Sequence, residues 1–206
     1  MCENKNHEKY HDGGSILESE KQIIQSQLPY FRYHPDPLAT GAFELGLKTC
    51  PCCERESNVF YVLQPHSQKG LENICPECIA TGQAAEKYRV SFIEDAEMLD
   101  PENREKTEEL FSRTPGYLNW QGEYWLTCCN DYCAYLGAVG TKELEAMGVY
   151  DEVVAEFEAR NQCPDIHDWL IKDGQISGYL FQCLHCCKYL LWVDGNSNTS
   201  TNTNCP

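Results

Sequence analysis

Cys50-Pro51-Cys52-Cys53 and, 21 residues further on, Cys75-Pro76-Glu77-Cys78 are the two stretches that decide how this chain is read. A C-x-x-C turn sets two sulfurs on one side of a tight bend, and two such turns complete the tetrahedron of a structural zinc ion. Between them lies Val59-Phe60-Tyr61-Val62-Leu63, an apolar, β-rich run that suits a strand, as in a zinc ribbon. Cys50, Cys53, Cys75 and Cys78 are therefore assigned to one ion, with Cys52 as a competitor inside the first turn.

A third turn, Cys183-Leu184-His185-Cys186, joins two strand-like runs, Tyr179–Cys183 and Tyr189–Val193. Its ion needs two more ligands, and Cys128-Cys129-Asn130-Asp131-Tyr132-Cys133 can supply them. Cys129 and Cys133, four residues apart, are preferred; Cys128 and the pair Cys163/His167 are rivals. His185 reads as a solvent-facing turn residue. Two complete four-sulfur sites leave no position for a reactive water, so both ions are expected to be structural rather than catalytic.

Fourteen cysteines would suggest disulfides in a secreted chain. Met1 to Gln27, however, is polar, mixed in charge and without the apolar core of a secretory signal. A reducing cytoplasm is the expected location, and there metal binding accounts for the thiols better. No apolar run approaches the roughly 20 residues of a membrane-spanning helix, so no membrane is expected as a partner. The net charge of −16, from 16 basic and 32 acidic residues, argues against nucleic acid, whose binding relies on Lys and Arg neutralising phosphates.

Outside the cysteines, residues 1–27 read as a polar mobile leader and 195–206, rich in Asn, Ser and Thr, as a disordered tail. Three prolines among the aromatics of 28–38 favour an extended strap that closes the core or lines a groove. Gln83 to Tyr88 reads as a short helix and Val90 to Ile93 as a short strand. An acidic helix with Pro101 in its first turn follows over 94–113. Tyr124–Thr127 and Ala134–Val139 read as strands. Val149, Val153 and Phe157 recur at i, i+4, i+8 on one face of a helix near 150–160. The fold expected is α+β: small antiparallel sheets on two zinc-ribbon-like four-cysteine sites, with two or three short helices. It occupies 28–194, as two lobes of about 28–95 and 114–194.

Several ordered motifs resemble the CbrC family of bacterial proteins, known by an association with colicin E2 tolerance. They begin with Leu28-Pro29-x-Phe31-x-Tyr33-His34-Pro35-Asp36-Pro37-Leu38. They continue through the first two cysteine turns, Arg113-Thr114-Pro115-Gly116-Tyr117-x-x-Trp120-Gln121-x-Glu123-Tyr124-Trp125, Cys129-x-Asp131-Tyr132-Cys133 and Tyr179-Leu180-Phe181-x-Cys183-Leu184-x-Cys186. The resemblance implies Cys129 and Cys133 in preference to Cys128, whose place varies in the family. Cys187 stands where glycine is usual. Its function is implied only as a label.

The stretch Arg113–Trp125 carries Trp, Tyr and Arg, the residue types that anchor interfaces. A zinc-stabilised protein acting through a protein partner is therefore the leading expectation. His34, Asp36, Arg113, Trp120, Gln121, Glu123, Trp125 and Asp131 form the candidate binding surface. Two alternatives stand beside it. One is an enzyme using His34, Arg113, Glu123 and Asp131, although no nucleophile elbow, P-loop or HExxH is present. The other is a thiol sensor using Cys52, Cys128, Cys163 and Cys187.

Overall fold

The computed structural model describes residues 23–66, 70–119, 122–161 and 170–194. The expected tail and the leader up to residue 22 lie outside them. The chain divides into two compact units: residues 1–94 with 104–118, and residues 95–103 with 119–206.

In the first unit, residues 23–27 are helical (α1), and Ile24 and Leu28 pack on the core. The strap over 28–38 is not a strand. Its turns place Phe31, Tyr33 and Leu38 inside. Strands β1 (Phe43–Thr49) and β2 (Glu56–Tyr61) pair antiparallel, from Phe43 opposite Tyr61 to Thr49 opposite Glu56, and the first cysteine turn is their hairpin loop. Helices α2 (Pro76–Ala80), α3 (Gln83–Tyr88) and α4 (Arg104–Arg113) follow, with α4 against the other two. Between α2 and α3, Gly82 has φ +75 and a Cβ there would meet Arg113 Cγ at 3.3 Å, so glycine is the residue that fits. The expected strand over Val90–Ile93 reduces to one isolated bridge, Ser91 with His66.

A file of rings holds this unit together. Phe31 lies 5.7 Å from Phe43, Phe43 lies 6.0 Å from Tyr61, and Tyr61 meets Phe92 edge-on at 5.4 Å. Such contacts add about 0.5–1.5 kcal/mol each beyond the area they bury. Cys50, Cys75 and Cys78 belong to the same core. Residues 114–117 return to this unit because Tyr61 Oη accepts from Gly116 N–H and His34 bonds Pro115 O.

In the second unit, β3 (Asp95–Ala96) runs parallel to β4 (Tyr124–Trp125), and β5 (Thr127–Cys128) pairs with β6 (Asp131–Tyr132) in a tight hairpin. Strands β7 (Ala134–Val139), β8 (Ser177–Gln182) and β9 (Tyr189–Asp194) make an antiparallel sheet with β8 central. Helices α5 (Thr141–Met147) and α6 (Tyr150–Asn161) complete it. The apolar face expected near 150–160 is where α6 packs: Val153 and Phe157 are buried with Leu180 and Leu191. Trp125 fills a second pocket of core, edge-on to Tyr135 and Phe181 at 6.1 and 5.6 Å.

The class is the α+β fold expected, with six helices among the described residues instead of two or three. Their shortness hides them, since five- to seven-residue helices show little periodicity. Among the described residues no helix is long and apolar enough to cross a membrane.

Candidate metal centres

The two C-x-x-C turns that close a hairpin share one backbone design. Cys50 N–H donates to Arg55 O at 2.9 Å and Glu54 N–H returns to Cys50 O at 2.8 Å. In the other, Cys183 N–H donates to Lys188 O at 2.9 Å and Cys187 N–H returns to Cys183 O at 3.1 Å. The fifth residue of each, Glu54 and Cys187, has φ +61. Both therefore occupy the left-handed region that glycine adopts most readily.

The first centre matches expectation in its residues: the sulfurs of Cys50, Cys53, Cys75 and Cys78 all lie within 4.8 Å of one another. Its second pair differs from a zinc ribbon. Cys75 is the N-cap of α2 and Cys78 lies in its first turn, with Pro76 at the start, so one pair comes from a hairpin and the other from a helix. The separations of 3.9 Å (Cys50–Cys78) and 3.8 Å (Cys53–Cys75) suit four thiolates each about 2.3 Å from a shared zinc. They are far beyond the roughly 2.05 Å of a disulfide. Cys75 N–H donates to Cys50 Sγ at 3.3 Å.

Burial opposes ionisation of Cys53, yet its bonds to Arg55 prevail and hold the thiol down at about 6. Burial pushes Cys75 up to about 11 and also raises Cys78. Thiols so close cannot all ionise without a cation among them, which is the electrostatic demand a divalent metal meets. Cys52, the competitor, is buried in the same core outside the tetrad. Lys87 and Tyr88 brace this turn from α3, with Lys87 Nζ donating to Cys52 O at 2.7 Å and Tyr88 Oη to Pro51 O at 2.7 Å. Neither announces itself in the sequence, because the bond is to backbone across 35 residues or more of chain.

The second centre departs from expectation at one ligand. Cys128, not Cys133, joins Cys129, Cys183 and Cys186 within 4.8 Å. Strand geometry is the reason. Cys128 pairs with Asp131 at the hairpin tip, and Cys133 N–H bonds Leu126 O two pairs deeper. Cys133 therefore shares a face with Asp131 and lies two residues along the strand, about 6.6 Å from the tip. It is fully buried, its thiol is raised by burial, and its carbonyl accepts from Trp125 Nε1 at 2.8 Å. Cys128 stands 3.8 Å from Cys129 and 3.7 Å from Cys186. Cys183 Sγ accepts from His185 N–H at 3.4 Å and from Cys186 N–H at 3.5 Å. Cys186 is lowered to about 7, first by a backbone hydrogen bond at Lys188. Cys163 and His167, the other rivals, lie outside the described residues. Cys187 is disulfide-bonded, unlike the ten other described cysteines.

Asp131 is wholly buried, and its Oδ2 lies 2.9 Å from Nε2 of His185, in the opposing turn. His185 is thus a bracing residue rather than an idle one, joining the two halves of the centre. Sequence spacing conceals the pair, 54 residues apart. Glu97 braces the hairpin from behind: its Oε2 accepts from Thr127 N–H at 2.7 Å and Oγ1 at 2.8 Å, while Arg160 Nη1 lies 3.5 Å from its Oε1.

The candidate binding surface is mostly interior. His34 is buried, with Nδ1 2.9 Å from Pro115 O and Nε2 2.6 Å from Thr40 Oγ1. Glu123, Trp125 and Asp131 are buried in the second unit. Asp36 is exposed but caps its own turn, accepting from Ala39 N–H at 3.1 Å. Arg113 is exposed. Trp120 and Gln121 lie outside the described residues. The motif residues that read as recognition groups are therefore largely the ones that pack, because Trp and buried carboxylates serve a core as readily as a surface.

The fold and these clusters define an α+β protein with two four-cysteine centres, each able to hold a metal ion. A family model described as "Uncharacterised protein family (UPF0167)" matches residues 28–195, and the chain belongs to that family. The UPF0167 protein PA1536 of Pseudomonas aeruginosa is 40% identical over 167 residues, covering 77% of this chain and 92% of its own length. The UPF0167 proteins Mb2317 of Mycobacterium bovis and MT2352 of Mycobacterium tuberculosis are each 34% identical over 183 residues, covering 85% of this chain and 97% of theirs. No solved structure matches the chain.

Proposed function

We propose that this chain is a zinc-stabilised cytoplasmic protein that binds a protein partner, with both ions structural. The observation that carries the metal is the pair of tetrads, each with four sulfurs within 4.8 Å of one another. Zinc is preferred among cations because it is a d¹⁰ ion that takes tetrahedral thiolate sites. All-sulfur coordination leaves no place for an activated water, which favours binding over hydrolysis.

For the partner, support comes from Arg113 and Leu118, both exposed, the leucine at 70%. In the sequence they lead up to Trp120. Arg and Trp are residue types that anchor interfaces. A role in bacteriocin tolerance rests on the resemblance to the CbrC family.

Two measurements test the reading. Elemental analysis of protein purified without chelator should give two zinc ions per chain, one for each tetrad. Cross-linking in cells should capture a partner that Arg113→Ala and Trp120→Ala both release; capture that ignores both substitutions, or no capture, refutes the partner. Killing curves with a colicin, in cells with and without the gene, decide the tolerance role.

A further inference from the structure

The two tetrads contain the same four-sulfur donor set but differ in exposure. In the first, Cys50, Cys75 and Cys78 are buried and Cys53 is half-buried. In the second, Cys129 and Cys186 are exposed, Cys128 is half-buried and only Cys183 is buried. The first centre is continuous with an aromatic and aliphatic core, whereas the second sits on two loop tips. Cys129 itself has φ +53 and Asn130 φ +56, the two left-handed residues of a two-residue hairpin turn that presents the sulfur at its tip. In the second turn, the His185 and Cys186 N–H groups both donate to Cys183, the buried ligand, and the exposed Cys186 has a backbone bond at Lys188.

We propose that the Cys128/Cys129/Cys183/Cys186 centre is an exchangeable metal site, open to ligand exchange with thiols or chelators from solution, while the Cys50 centre holds its ion permanently. The inference rests on both tetrads being metal-loaded. Exchange is associative. A donor atom of the incoming ligand, a thiolate sulfur or a chelator nitrogen or oxygen, bonds to the ion on its solvent side. The bond to Cys129 or Cys186 breaks, and the released thiolate takes a proton from water. No electrons change hands. Repetition at the second exposed sulfur leaves the ion on Cys128 and Cys183, from which the acceptor removes it. The first centre exposes one sulfur in part, Cys53, and keeps the other three buried, so the sequence stops after one displacement unless the core opens locally.

The experiment follows zinc release from the full chain into a chromogenic chelator, 4-(2-pyridylazo)resorcinol, beside alkylation by iodoacetamide mapped by mass spectrometry. Total zinc measured first separates failure of loading from failure of this inference. The expected result is two phases of one ion each, the faster by about tenfold or more because it needs no local unfolding. Label should appear on Cys129 and Cys186 with the fast phase, before any on Cys50, Cys53, Cys75 or Cys78. Cys129→Ser should retain one ion and lose the fast phase. One common phase for both ions, or first labelling at the Cys50 tetrad, overturns the proposal. The alkylation map on the unmutated chain keeps the test decisive if a variant does not fold.

Discussion

Acid should destabilise this protein through one buried ring. His34 has no exposed surface, and burial holds its imidazole down at about 4 against an ordinary 6.5. The neutral ring fits its site by donating from Nδ1 to Pro115 O, with Nε2 2.6 Å from Thr40 Oγ1. The unfolded chain binds this proton more readily than the folded one, so the stabilisation is fully present above about pH 6.5 and is lost as pH falls towards 4. The difference in pKa corresponds to about 3 kcal/mol in full, of which about 2 kcal/mol is lost by roughly pH 5. Acid also protonates zinc thiolates and releases metal, so the bare pH profile is not diagnostic. The assay is urea unfolding of metal-loaded protein from pH 7.5 to 5, wild type against His34→Gln. The variant should be less stable at pH 7.5 yet lose about 2 kcal/mol less on acidification. Parallel pH profiles for the two proteins would refute the reasoning.

Cys128→Ser should lower zinc to one ion per chain, whereas Cys133→Ser should keep both ions and lose stability in the melt, since Cys133 is packed and outside the tetrad. Asp131→Asn removes the charged partner of His185 and should weaken the second site about 10–100-fold in competition titrations, with the first site unchanged. Glu97→Gln should act on the same site in the same direction, by loosening the hold on Thr127 N–H, and leave the slow phase of zinc release as it was. Trp125→Ala opens a cavity among Tyr135 and Phe181 and should cost about 3–5 kcal/mol, read as a drop in Tm; a loss under about 1 kcal/mol would place Trp125 outside the core.

Which side chains are chemically special, and how the close pairs are spaced, can be read from the order of residues alone. Cys50/Cys53, Cys75/Cys78 and Cys183/Cys186 were legible because a C-x-x-C turn is a local geometry that needs no knowledge of the rest of the chain. The same holds for α6, whose apolar face repeats at helical spacing, and for the β8–β9 hairpin around its cysteine turn. Which of Cys128, Cys129 and Cys133 meet the distant turn depends on the folded chain. That choice depends on strand register, and moving two pairs along a hairpin shifts a sulfur by more than a coordination sphere allows. The same applies to Trp125, Glu123, Asp131 and His34. Residue type marks them as costly to place, but whether a polar or aromatic group faces water or a buried partner depends on what the chain folds against it. The unequal exposure of two tetrads that each use four cysteine sulfurs is likewise invisible in spacing, because exposure belongs to the surroundings of a site and not to its ligands.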